Sequence, residues 1–122
     1  MFYEWNTVGW TIAGLPILML TISDQKPKKK FRQKKCVVIS AWVHPNETNS
    51  SFAFEGLLRY IVSNEAKPLW MLYNFYLFPC LNPDGVEGGF YRANLSGFDL
   101  NRTWLTPHKL LHPSIFIIKD FL

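Results

Sequence analysis

His44 and Glu47 lie three residues apart in the stretch Val43-His44-Pro45-Asn46-Glu47, directly after a β-branched and aromatic run. An imidazole nitrogen and a carboxylate oxygen are both good zinc ligands, and a set of two imidazoles and one carboxylate leaves a fourth position for a reactive water. The same two residues also describe an ordinary surface hydrogen bond, so the pair alone does not decide for metal. A second group follows at Asp99-Leu100-Asn101-Arg102, with Arg92 ten residues before Arg102. A guanidinium is a planar fork that grips a carboxylate through two hydrogen bonds, and an asparagine adds a neutral donor beside it. That cluster suits the free carboxylate at the end of a peptide; an arginine bonded to loop carbonyls is the plainer alternative.

Elements must carry these residues. Two apolar runs flank Ala13-Gly14 between Thr7 and Ile22, and glycine there supplies the positive φ of a tight turn, which predicts a β-hairpin. Asp24 to Lys35 is charged and proline-bearing and reads as a solvated connection. Cys36 to Val43 is a nearly continuous apolar run, the pattern of a strand buried on both faces of a helix-covered sheet. Thr48 to Ser51 offers helix N-caps, and Phe54, Leu57, Leu58 and Ile61 follow at i, i+3, i+4 and i+7, predicting a one-sided helix. Asn64 to Pro68 reads as a break, Tyr73 to Cys80 as a second strand, and Asn82-Pro83-Asp84-Gly85 as a turn. Glu87 to Gly97 reads as an exposed glycine-rich loop, and Ser114 to Leu122 as a helix that stops without a capping residue. Strand, helix, strand in this order implies an α/β sheet with parallel neighbours.

Composition narrows the function classes. At 122 residues, with 48% apolar and 16% aromatic content, the chain can build one core. Its longest uninterrupted apolar stretch, Ile12 to Leu20, holds Gly14 and Pro16 and falls well short of the roughly 20 residues of a membrane-spanning helix. Met1 is followed by an aromatic stretch carrying Glu4, without the pattern of a secretory signal, so a cytosolic location is expected. Cys36 and Cys80 both sit in strand-like runs and read as unpaired buried thiols. Four N-x-S/T sequons begin at Asn46, Asn49, Asn94 and Asn101; they would matter only in a secreted chain. The formal charge of +4 is concentrated, because seven of thirteen basic residues lie between Lys26 and Lys35, leaving six basic against nine acidic elsewhere.

The segments "HPNETNSS" at 44 to 51, "NPDGV" at 82 to 86, "YR" at 91 to 92, "GFDLNRTW" at 97 to 104 and "HPSI" at 112 to 115 together resemble the zinc metallocarboxypeptidases. The HPNETNSS form is similar to the cytosolic carboxypeptidases, which trim glutamates from protein C-terminal tails such as those of tubulin. The opening hairpin is similar too, so the resemblance covers nearly the whole chain. It implies a three-layer αβα fold with a mixed, partly parallel sheet, of which residues 1–122 would form the N-terminal, incomplete portion of the catalytic domain. It implies one zinc ion with His44 and Glu47 as two of its three protein ligands, and Asp99 as the carboxylate fixing the histidine tautomer. It implies Asn101 and Arg102 as the seat of the substrate's terminal carboxylate, and Arg92 as the catalytic arginine that polarises the scissile carbonyl. Phe98 and Asn46 depart from the family pattern at loop positions.

The family's third zinc ligand, its general base and its side-chain pocket come from later strands, and the sequence ends before them. His108 and His112 are spaced like zinc ligands on a helix, but Pro107 and Pro113 oppose a continuous helix there, and His112 matches a helix start. Glu55 and Glu65 are poorly placed as general bases. The basic run lies at the far end of the Cys36 strand from His44, about 25 Å at roughly 3.3 Å per residue, against a screening length of about 8 Å. It reads as a solvated loop. Three functions are expected in descending order: a carboxypeptidase whose 122 residues alone are inactive, an inert module binding a C-terminal carboxylate, and a small basic nucleic-acid binder. An exposed sheet edge and apolar helix face imply poor solubility.

Overall fold

A computed structural model describes residues 1–26 and 34–122 of the chain. Two strands, β1 (Phe2–Trp10) and β2 (Pro16–Ser23), form the expected antiparallel hairpin, with Gly14 at φ +79° in its turn. Next come β3 (Lys35–Ser40), α1 (Asn49–Ile61), a 3-10 turn at Asn64–Ala66, α2 (Lys67–Leu72) and β4 (Tyr73–Phe78). The chain continues through α3 (Pro83–Glu87), a 3-10 turn at Leu100–Arg102 and α4 (Pro113–Phe121). The sheet order is β1-β2-β4-β3, with β3 parallel to β4 and the other neighbours antiparallel. The sheet is therefore mixed and open.

Period-two alternation divides the core between the two sheet faces. Leu20 and Ile22 of β2 and Phe75 and Leu77 of β4 pack with Phe54 and Ile61 of α1, Ala66 and Trp70. On the other face Met19 and Phe78 pack with Leu81, Leu100 and with Ile115 and Ile118 of α4. Helices on opposite faces of one sheet give the expected three layers.

Several local readings change. β3 is an edge strand of the described sheet, so it is only half-buried, and Cys36 is exposed instead of buried. Both cysteines are free; burial pushes the half-buried Cys80 thiol up to about 11. The break at Asn64–Pro68 is a 3-10 turn leading into α2, whose first turn accommodates Pro68 because no intrahelical partner is required there. The Asn82–Gly85 turn is a helix start: Pro83 opens α3, and the Asn82 side-chain oxygen accepts from the Gly85 N–H at 3.0 Å. The same residue types serve both structures, and the buried carboxylate of Asp84 decides for the helix by accepting from Thr11 Oγ1 and from the Ala13 N–H at the hairpin turn. Thr48 precedes α1 without capping it through its side chain, while the Ser50 hydroxyl is taken up by the Trp42 N–H. Within the 87–97 loop Asn94 is buried, not exposed, accepting from the Ser96 and Phe98 N–H groups and donating to the Leu111 carbonyl at 2.7 Å. The solvated reading of the basic run falls, for residues 27–33, outside the described residues; at its margins Lys26 pairs with Glu4 and Lys34 with Asp24.

Leu77 is fully buried at the centre of the sheet, so Leu77→Ala is expected to cost about 2–5 kcal/mol in urea unfolding. Leu18→Ala, on the neighbouring strand β2 but 38% exposed, is expected to stay within about 0.5 kcal/mol. Equal effects at the two sites would contradict the burial assigned to them.

Candidate active site

Parallel pairing of β3 with β4 brings Ser40 opposite Phe78, so both chains leave the sheet at the same edge. His44 follows the first exit and Asn82 the second, placing the loops after both strands at one carboxyl end, where open α/β sheets bind ligands. Between β3 and His44 the backbone turns at Trp42, which adopts φ 52°, a left-handed conformation that costs a bulky L-residue roughly 1–2 kcal/mol. Two hydrogen bonds hold it: its N–H donates to Ser50 Oγ at 2.6 Å and its indole Nε1 to the Pro45 carbonyl at 3.0 Å. Trp42 and Ser50 thereby set the exit angle of the His44 loop, and nothing in residue type or spacing announces that.

His44 is 4% exposed. Its Nε2 lies 2.9 Å from Asp99 Oδ1, and its Nδ1 3.1 Å from Glu47 Oε1. Asp99 Oδ1 also accepts the Asn101 N–H at 3.0 Å, while Oδ2 accepts Arg92 Nε at 2.9 Å. Desolvation works against ionisation of Asp99, but the hydrogen bonds from His44 and Arg92 outweigh it and bring the carboxyl down to about 2. Asp99 is therefore an acceptor throughout the neutral range, and a neutral His44 ring carries its proton on Nε2. Nδ1 then presents a lone pair. It is buried without a hydrogen-bond partner despite its short separation from Glu47, whose position does not meet hydrogen-bond geometry. Two electron-pair donors facing one another across a small gap fit a cation between them, and a nitrogen and a carboxylate oxygen are a donor set that zinc accepts.

The structure thus gathers His44, Glu47, Asp99 and Arg92 into one connected cluster, and joins Asn101 to it through the backbone. Arg102 lies on the same 3-10 turn, its N–H bonded to the Asp99 carbonyl at 2.9 Å. Its guanidinium is exposed and makes no hydrogen bond or ion pair among the described residues. The Asn46 N–H donates to the Tyr91 carbonyl at 3.1 Å, tying the His44 loop to the Arg92 loop. His108 and His112 stay apart from this cluster. His112 immediately precedes α4, its Nδ1 accepts the His108 N–H at 3.0 Å, and its ring packs edge-on against Phe98. Glu55 pairs with Arg59 on α1 at 2.7 Å, and Glu65 is exposed. Among the described residues no group of three His, Cys, Asp or Glu side chains is arranged to hold a metal.

Because Asp99 fixes the His44 tautomer, Asp99→Ala is expected to lower Zn2+ affinity about 10- to 100-fold. Competition against a chromophoric chelator measures this, and unchanged affinity would show that Asp99 does not fix the donor nitrogen of His44.

The zinc carboxypeptidase family profile matches residues 2–114. Human cytosolic carboxypeptidase 1 is 48% identical over the whole of this chain, which spans 11% of that protein's length. Cytosolic carboxypeptidase 6 of Caenorhabditis elegans is 38% identical over 99% of the chain, which spans 27% of it. A metallo-carboxypeptidase of Burkholderia cenocepacia superimposes with a TM-score of 0.86 and 28% identity, over 98% of this chain and 32% of that one. With the profile covering more than nine-tenths of the residues, and strand-end loops carrying the site motifs, the chain belongs to the zinc carboxypeptidase family.

Proposed function

We propose that this chain supplies the metal-binding and carboxylate-binding side of a peptidase site that removes C-terminal residues, specifically glutamate from protein tails such as those of tubulin. The carrying observation is the buried, unpartnered His44 Nδ1 beside Glu47, with Nε2 committed to Asp99. His44 and Glu47 hold one zinc ion, which when bound supplies Lewis acidity toward a carbonyl oxygen and a water. Asp99 keeps the His44 proton on Nε2 and so keeps Nδ1 a donor. Arg92 is committed to Asp99 through Nε, which leaves its terminal nitrogens to donate to the oxygen of the scissile carbonyl in this reading. Asn101 and Arg102, one turn away, grip the free carboxylate of the substrate. The glutamate preference rests on the HPNETNSS resemblance, and a cytosolic location is supported by the names of the relatives. With two converging ligands among the described residues, the 122-residue chain by itself holds zinc weakly and turns over slowly or not at all.

A second reading, a module that binds a carboxylate without cleaving, is favoured by the exposed Arg102 guanidinium, which has no partner among the described residues. Hydrolysis and metal binding separate the two: zinc binding with even slow release of glutamate supports the first, and peptide binding with neither zinc binding nor release supports the second. In both, a peptide with a free C-terminus is expected to bind about 10- to 100-fold more tightly than its amidated form, as for a charge-assisted hydrogen bond worth about 1.5–3 kcal/mol. Arg102→Ala is expected to abolish that difference. Equal binding of acid and amide by the unmutated protein would sink both readings.

A further inference from the structure

Asn82 is 2% exposed, and its side chain is fully committed. Its Oδ1 accepts the Gly85 N–H at 3.0 Å. Its Nδ2 donates to the Val43 carbonyl at 3.3 Å and to the Ala93 carbonyl at 3.1 Å. Turning the amide over would face oxygen against two carbonyls and nitrogen against an N–H, so the network admits one orientation. Val43 immediately precedes His44, and Ala93 immediately follows Arg92. One buried amide therefore connects the end of β4, the loop of the candidate zinc ligands and the loop of the candidate oxyanion arginine. The helix it caps also presses on the first loop: a Cβ built at Gly85 would lie 2.6 Å from Pro45 Cγ and 2.6 Å from Asn82 Nδ2. The Asn46 N–H, bonded to the Tyr91 carbonyl at 3.1 Å, also bridges the two loops.

We infer that Asn82 is a positioning residue: through its two donated hydrogen bonds it sets the separation of the His44–Glu47 loop from the Arg92 loop. The inference rests on the functional reading above for its catalytic consequence, though not for its structural one. Asp99 can bridge His44 Nε2 and Arg92 Nε only while those loops stay in register, so releasing Asn82 loosens both bonds to that carboxylate. No other side chain among the described residues donates to both loops.

Asn82→Ser tests this, since serine retains an oxygen able to cap α3 but cannot span to both carbonyls. Ile61→Val, a buried change in the core of the opposite sheet face, supplies a control for general loss of stability. In the protein with labelled histidine, the side-chain nitrogen shifts of His44 are expected to report an Nε2–H tautomer, and to move toward the tautomer average in Asn82→Ser. The Asn46 amide is expected to exchange about tenfold faster in that variant, as for a locally opened bond, and neither signal should move in Ile61→Val. Where the zinc-loaded protein turns over measurably, kcat is expected to fall about 10- to 100-fold, with KM within about threefold, as for misplacement of catalytic groups. If serine prevents folding, Asn82→Asp is used, which keeps shape and cap while facing oxygen toward both carbonyls. Unchanged His44 shifts and Asn46 exchange in a folded variant would overturn the inference, as would the same changes in Ile61→Val. Equal binding of acid and amide peptides would sink the proposed function alone, leaving the two spectroscopic signals to decide on Asn82.

Discussion

A single carboxylate, that of Asp99, receives hydrogen bonds from His44 Nε2, from Arg92 Nε and from the Asn101 N–H. His44, 55 residues away, is thereby fixed to the same point as Arg92, and the charge on that point stays in place because its donors hold the carboxyl well below the neutral range. The consequence for His44 is directional. With one ring nitrogen committed as a donor, the other is left as a buried lone pair beside Glu47, an arrangement that a folded protein tolerates poorly without a cation.

The sheet makes this meeting possible. Because β3 and β4 run parallel in register from Lys35↔Tyr73 to Ser40↔Phe78, their exits are neighbours, and residues from positions 42–47 and 79–85 share one sheet edge. The Ala41 N–H bonds to the Phe78 carbonyl and the Leu81 N–H to the Ala41 carbonyl, extending the pairing past the strand ends toward the site. Loops held this way lose little further entropy when the site is completed, which is the condition for positioning reacting groups.

Buried polar groups around the site are mostly satisfied, and each satisfied one joins distant segments. Asp84 holds the hairpin turn against α3, and Asn94 holds its own loop and the Leu111 carbonyl; at the other end of the sheet Ser23 donates to Asn74 at 2.7 Å across β2 and β4. Such groups are costly when unpaired and specific when paired, so they decide geometry more than net stability. The Trp42 backbone shows the same local expense at a site, its left-handed conformation offset by bonds to Ser50 and Pro45.

Residue type and periodicity alone determined the hairpin, α1, β4, α4 and the order in which strand and helix alternate. They did so because one-sided burial writes a period of two or 3.6 into the chain. Residue types together with the family resemblance singled out His44, Glu47, Arg92, Asp99, Asn101 and Arg102 as candidates before any fold was known, since metal and carboxylate chemistry restrict the residue types. Tertiary structure decided the rest. Cys36 to Val43 is apolar enough for an interior strand, but burial depends on neighbours, and β3 has one on a single side in the described sheet. The 3-10 turn and α2 follow Ser63 where sequence suggested only a break, because Ala66 and Trp70 find the core. Asn82 reads locally as a turn or a cap, and its two long-range bonds could not be inferred from it: Val43 and Ala93 are 39 and 11 residues away, and a hydrogen-bond partner is chosen by the closed chain, not by local preference.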